Sequence, residues 1–497
     1  MSAPIQSRVS VALGVVLAIS LGVSSSLGCP GTHAGQIATF QAAPCPFKVI
    51  GGVVEASHIR CGYVVVPENR QVADSPRIKV AVAIFKAPGP NPAPDPLVFV
   101  VGGPGGETIL SRGPTMVAQG LPAFVGNRDY ILVNQRGTLL SPPTLSCPSS
   151  DTVPACNAYL VKEGIDLGAY NVVEDAADIA AVGPALGYKT VDLYGNSYGS
   201  LVTLQVMRDH PQGIRAVVLD GVLTPLYNQF NSVVPNTWRA LQQIFADCAA
   251  SPSCNVRYPH LAQTFIQLLS HLQAHPASVR VYSSVQQQYA TGTINGVNLW
   301  TGLATYLTDG TVLPFVPQPT FAPLMPRLVT NMARGDFSDA VQYLEAIHWD
   351  KPSTNNGLMS AAMVCSFAQA GSSPAKIAAS ATMLPLSIRA GVVAAYTASL
   401  ASCSAWHLPS VAPVNHTFFR STIPTLVLSG RYDPAGSPAQ TQVLAHMLGD
   451  AYLVPVPSGH HAVEVGGCPD QIARAFLANP KHKPATSCVA GMAVHWQ

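Results

Sequence analysis

Apolar residues in this chain gather in short unbroken runs rather than in strict alternation. Lys79–Phe85, Leu97–Val101, Tyr130–Asn134, Val191–Tyr194 and Ala216–Asp220 are rich in β-branched and aromatic side chains. The later runs show no in/out alternation, which predicts strands buried on both faces and therefore a parallel sheet. Between them, Glu174–Leu186 and Tyr198–Asp209 carry the helical period. Two further strands, Thr425–Ser429 and Tyr452–Val456, follow much later, and a last helix is predicted from Pro469 to Leu477.

The long gap before those last strands is different in kind. It is helical in pattern, as in Trp238–Ala250 and Tyr258–Leu272, with Pro and Gly breaks and few charges. A stretch of that length and apolarity does not behave as a linker. The pattern predicts an α/β fold, a mostly parallel sheet flanked by helices, with a large, mainly helical lid inserted before the last two core strands. The expected boundaries are a signal peptide at 1–28, a Pro/Gly-rich lead-in at 29–54, the first part of the core at 55–225, the lid at 226–419, and the second part of the core at 420–497.

The leader is read from Arg8 followed by the apolar stretch Val9–Leu27, the charge-then-apolar order of an export signal. Ser26-Leu27-Gly28-Cys29 is similar to a bacterial lipoprotein cleavage box, with Ser26 where the box usually carries Leu. Cys29 therefore either bears a lipid, giving membrane association through that group alone, or leaves with the leader after cleavage near Thr32-His33-Ala34. The other ten cysteines are an even number without a C-x-x-C pair, which fits disulfides in an oxidising compartment better than a zinc site. Sequence neighbours suggest Cys147 with Cys156, Cys248 with Cys254, and Cys468 with Cys488. Cys365 and Cys403 are further disulfide candidates. The expected location is secreted, periplasmic or cell-envelope.

Composition narrows the function classes. Hydrophobic residues make up 48% of the 497 and charged residues 10%, so a disordered chain is excluded. Net charge is +2, with no basic run to neutralise phosphates, and nucleic acid is not an expected partner. No metal or organic cofactor is implied.

The chemistry sits where the predicted strands end. Val191–Tyr194 runs into Gly195-Asn196-Ser197-Tyr198-Gly199 and then a helix, which is G-x-S-x-G in a strand–turn–helix setting. Ser197 is the expected nucleophile. The backbone N–H of Tyr198 and one from the glycine-rich turn Gly102-Gly103-Pro104-Gly105-Gly106 are the expected oxyanion donors, with Gly103 chosen and Gly102 as the alternative. Asp433, after Thr425–Ser429, is the expected acid. After Tyr452–Val456 comes Gly459-His460-His461, and position directly after the glycine selects His460 as the base, with His461 as its neighbour. Ser, Asp and His in that chain order are what a serine hydrolase of this fold requires.

With these residues in hand, the chain resembles the α/β-hydrolase serine peptidase family of proline iminopeptidases and bacterial tripeptidyl aminopeptidases. The resemblance is carried by Cys61-Gly62-Tyr63-Val64-Val65-Val66-Pro67, Gly102-Gly103-Pro104-Gly105-Gly106, Asn134-Gln135-Arg136-Gly137-Thr138, the serine elbow, Val218-Leu219-Asp220-Gly221 and Leu428-Ser429-Gly430-Arg431-Tyr432-Asp433-Pro434. It covers residues 55–225 and 420–490, and the lid only at spots such as Cys248, Cys254, Cys365, Cys403 and Trp406. It implies an exported peptidase that releases short N-terminal units through an acyl-enzyme. The alternative is a carboxylic-ester hydrolase with the same triad, so the expected partner is a peptide or a small ester. Relatives commonly carry an acidic residue shortly after the equivalent of Cys365, holding the substrate ammonium; here the segment reads Cys365-Ser366-Phe367-Ala368. Glu107 and Glu345 are the candidate replacements for that anion.

Overall fold

The computed structural model describes residues 38–47, 58–148, 152–283, 286–309, 322–346, 357–463 and 467–496. The leader and Cys29 lie outside them. Nine strands form one sheet: β1 (Thr39–Ala43), β2 (Ile59–Pro67), β3 (Arg77–Phe85), β4 (Leu97–Val100), β5 (Tyr130–Val133), β6 (Val191–Asn196), β7 (Ile214–Asp220), β10 (Thr425–Gly430) and β11 (Ala451–Val456). Their spatial order is β1-β2-β3-β5-β4-β6-β7-β10-β11. β1 to β3 pair antiparallel at one side and β3 meets β5 antiparallel; from β5 to β11 every pairing is parallel.

Burial explains the unbroken apolar runs. Leu97, Phe99, Tyr194, Val218 and Leu428 face one side, where Ile109, Met116, Ile472 and Phe476 of flanking helices cover them. Their chain neighbours Val98, Val100, Leu193, Leu219 and Val427 face the other, against Ile179, Val182, Leu201 and Val202. A strand covered on both faces favours apolar residues at successive positions, and polar ones such as Asp192 stay only where they are paired, so alternation disappears.

Between β7 and β10 the chain leaves the sheet and builds its own core. Helices Gln229–Ala250, Leu261–Ala274, Gly296–Asp309 and Leu386–Trp406 pack around the fully buried Trp300, Phe265, Leu269 and Ile388. The segment also holds a hairpin that the sequence pattern does not announce, β8 (Ala277–Ser283) paired antiparallel with β9 (Gln288–Ile294). Five disulfides link the ten cysteines: Cys45–Cys61, Cys147–Cys156, Cys248–Cys254, Cys365–Cys403 and Cys468–Cys488. Helix Leu386–Trp406 is long and apolar enough to cross a membrane by composition. Here Cys403 is bridged to helix Gly357–Ala368, and Ile388, Val392 and Trp406 are buried.

Candidate active site

β6 ends in Asn196, the chain turns at Ser197, and helix Tyr198–Asp209 begins at once. Ser197 takes φ 55°, ψ −125°, a strained conformation that persists only because its surroundings over-determine it. The Ser197 N–H is fixed by the Asp220 carbonyl at the end of β7, at 2.9 Å. Gly199 is needed for packing, because a Cβ there would run into the backbone carbonyl of Val100 in β4. The helix N-terminus beneath the serine contributes partial positive charge at the reacting centre.

His461 Nε2 lies 2.7 Å from Ser197 Oγ, and His461 Nδ1 lies 3.0 and 3.1 Å from the two oxygens of Asp433. Asp433 Oδ1 also accepts from the Ala435 and Gly436 N–H groups, each at 2.8 Å. Both partners are almost sealed from solvent, His461 at 4% and Asp433 at 3% exposure. Burial works against the Asp433 charge, but the facing His461 and the two amides outweigh it and hold the carboxyl below its ordinary pKa.

The structure corrects the expected histidine. His460 does not face the serine; its Nδ1 sits 3.1 Å from the carbonyl of His461. The turn after β11 decides this. Tyr432 N–H donates to the Gly459 carbonyl at 2.8 Å and Gly459 N–H to Val456 at 3.1 Å, which pins the chain just before the doublet. Val463 N–H donates to the Asp220 carboxylate at 2.9 and 3.0 Å, which pins it just after. Within that held loop the second histidine is the one turned toward Ser197.

The glycine-rich turn after β4 runs beside the serine. A Cβ on Gly102 would come 2.6 Å from Ser197 Cβ, and Gly103, at φ 119°, lines the same cavity as Ser197, Tyr198 and His461. Gln135 clamps the turn: its Oε1 accepts from Gly105 N–H at 2.6 Å and its Nε2 donates to Val101 O at 2.9 Å. Next to it, Arg136 is completely buried and forks onto Asp178 with two 2.8 Å bonds, while donating to the carbonyls of Glu68 and Ala169. Gln135 is thus the brace under the glycine-rich turn, and Arg136 anchors the segment that carries it.

Glu107 belongs to the same brace rather than to the cavity. Its two oxygens accept from Leu139 N–H and Asn134 Nδ2, both at 2.5 Å, so its expected role as the ammonium anchor is not what the fold gives it. Burial pushes its carboxyl above the ordinary pKa, with those hydrogen bonds pulling back. Glu345 lies on helix Ser338–Ala346, its side chain outside the described residues.

A cavity of about 290 Å³ opens over Ser197. Met363, Val364 and Phe367 form one wall, and Thr301, Thr305 and Thr308 of helix Gly296–Asp309 form another, with Tyr227, Gln229 and Tyr396 between. Among the described residues no carboxylate lines it. The threonine face is not legible in the sequence, because Thr at four- and three-residue spacing on an amphipathic helix carries no signal of its own. No group of metal-ligating side chains is found among the described residues.

The serine protease Hip1 of Mycobacterium tuberculosis (strain ATCC 25618 / H37Rv) is 24% identical to this chain, across 88% of the chain and 87% of that protein. The Hip1 of Mycobacterium bovis matches equally well. Among solved structures, an alpha/beta hydrolase from Novosphingobium aromaticivorans DSM 12444 is similar at 12% identity and a TM-score of 0.36, over 86% of this chain and 99% of that one. Residues 95–467 match the alpha/beta hydrolase fold family. With that match spanning well over half its length, the chain belongs to the α/β hydrolase fold family, and it is a serine hydrolase.

Proposed function

We propose that this protein is an exported peptidase that releases short N-terminal units from peptides through an acyl-enzyme on Ser197. The observation that carries the reading is the hydrogen-bonded chain Ser197–His461–Asp433 at the floor of a bounded cavity. In the first step Ser197 Oγ attacks the scissile carbonyl while its proton passes to His461 Nε2, and Asp433 stabilises the resulting imidazolium. The oxyanion takes hydrogen bonds from the backbone N–H groups of Tyr198 and Gly103. Collapse of the intermediate breaks the C–N bond, and His461 gives its proton to the departing amine. Water, deprotonated by the same imidazole, then hydrolyses the ester on Ser197. A cavity of about 290 Å³ suits a short acyl unit and not an extended chain. Similarity to a serine protease over most of both chains supports a peptide substrate. The leader pattern and five disulfides support export.

A second reading, a carboxylic-ester hydrolase with the same triad, is favoured by a lining that holds no carboxylate among the described residues. An unpaired ammonium in such surroundings is unfavourable, whereas a neutral acyl group is not. Matched peptide amides with free and N-acetylated amines, beside short- and long-chain esters, separate the two. An aminopeptidase loses on the order of 2–5 kcal/mol in kcat/KM when the amine is blocked. Equal turnover of both peptides with much faster ester turnover overturns the peptidase reading in favour of the esterase.

A further inference from the structure

The first helix of the inserted segment, Gln229–Ala250, carries Asn236, Arg239, Gln243 and Asp247 at three- and four-residue spacing, which puts the four on one face. That face meets the loop after β10. Asn236 Nδ2 donates to the Ala435 carbonyl at 2.9 Å. The Arg239 guanidinium donates to the Arg431 carbonyl at 3.2 Å and to the Asp433 carbonyl. Asp247 accepts a fork from Arg431 at 2.7 and 2.8 Å and the Tyr432 hydroxyl at 2.8 Å, and Gln243 braces Asp247 at 3.0 Å. One helix face therefore grips residues 431 to 435, and Asp433 is at the centre of the grip.

We infer that this helix face is the positioning device for Asp433, with Arg239 as its central positioning residue. The inference rests on the reading of Ser197, His461 and Asp433 as a triad. It makes the root of the insertion part of the catalytic framework: Asp433 keeps its place opposite His461 because a helix outside the sheet holds its backbone. The planar guanidinium spans the two carbonyls with donors on separate nitrogens in a fixed fork, a reach that a compact ammonium does not reproduce. Arg239 is also a positive charge next to the carboxylate that supports the imidazolium. The other charged or titratable groups around Asp433 are His461 itself, His460 beside it in the chain, Tyr227, and the outer Asp247–Arg431–Tyr432 cluster.

The test is the second-order rate of Ser197 labelling by a fluorophosphonate, followed from pH 5 to 9 in the full chain. Arg239→Met is expected to lower it about ten- to a hundredfold, the size of effect that follows when a catalytic group is displaced by about 1 Å. Removing a cation eases protonation of the imidazole, so the pH midpoint of labelling moves upward, by about half a unit. Arg239→Lys keeps the charge but not the fork. It is expected to leave the midpoint in place while the rate still falls, and it carries the test alone if Arg239→Met does not fold by circular dichroism. A folded Arg239→Met with wild-type rate and midpoint, or an Arg239→Met that loses rate without a midpoint shift, overturns the inference, as does a wild-type rate in Arg239→Lys. His461→Gln and Asp433→Asn are measured alongside. If either labels at the wild-type rate, the triad reading fails; if both are slow and the Arg239 variants are not, only the positioning role fails.

Discussion

Replacing Asp433 by Asn is the sharpest change the site allows, because it preserves shape while removing the charge and exchanging one acceptor for an N–H donor. Oδ1 of Asp433 is held by the Ala435 and Gly436 N–H groups at 2.8 Å. At roughly 1 kcal/mol per bond, they favour the amide oxygen at that position by about 2 kcal/mol. The –NH2 group is thereby directed to the other site, 3.1 Å from His461 Nδ1. There it either donates to Nδ1, leaving the ring proton on Nε2 against Ser197, or repels an Nδ1–H that stays on Oδ1. In both arrangements the imidazolium loses its counter-charge. The expected fall in kcat or in fluorophosphonate labelling rate is about 10³- to 10⁴-fold, equivalent to about 4–5.5 kcal/mol of barrier. Stopped assays on a short-chain ester at pH 7.5, with a thermal melt to verify folding, measure it. A folded Asp433→Asn enzyme within tenfold of the parent refutes the reasoning about this carboxylate.

The brace and the staples yield further predictions. Arg136→Met leaves the buried Asp178 with the Arg70 guanidinium but strands two carbonyls, so urea unfolding is expected to register a loss of about 2–4 kcal/mol; a loss below about 1 kcal/mol contradicts that role for Arg136. Burial and the neighbouring Asp178 push the Asp175 carboxyl up to about 8. The unfolded chain ionises this group above about pH 4 while the folded protein keeps its proton. Its contribution to stability is therefore full below about pH 4 and lost as pH rises toward 8. Asp175→Asn should flatten that fall, read from urea midpoints at pH 5.5 and 8; an unchanged slope contradicts the assignment. Cys365–Cys403 closes a separation of 38 residues, and replacing both by Ser is expected to lower stability by about 3–4 kcal/mol, measured by the same unfolding titration.

What the sequence disclosed follows from how strongly each feature is constrained. β4 through β7 and β10 are largely buried on both faces, so their apolar runs are legible within a residue or two; β11 is only partly buried, yet Tyr452 to Val456 is apolar throughout. β1 has no fully buried residue, and β8 and β9 interrupt their apolar positions with Ser and Arg in one strand and Gln, Thr and Gly in the other, so neither strand nor hairpin leaves an unbroken apolar run. Ser197 and Asp433 were legible because each follows a recognisable strand. The histidine was not, because two imidazoles stand in adjacent positions and contacts from Tyr432 and Asp220, far away in the chain, decide which one faces the serine. Glu107 misleads for a similar reason: it follows the glycine-rich turn in sequence, yet the backbone aims it at Asn134 and Leu139. The grip of Arg239 and Asp247 on the acid loop spans almost 200 residues of chain and has no local signature.

In the proposed mechanism His461, not its neighbour His460, takes the proton from Ser197. Fluorophosphonate adduct mapping by peptide mass spectrometry in the parent, His460→Gln and His461→Gln tests it directly. The account predicts an adduct on Ser197 in the parent and in His460→Gln, and its loss in His461→Gln. An adduct on another serine, or loss in His460→Gln with full labelling in His461→Gln, contradicts it.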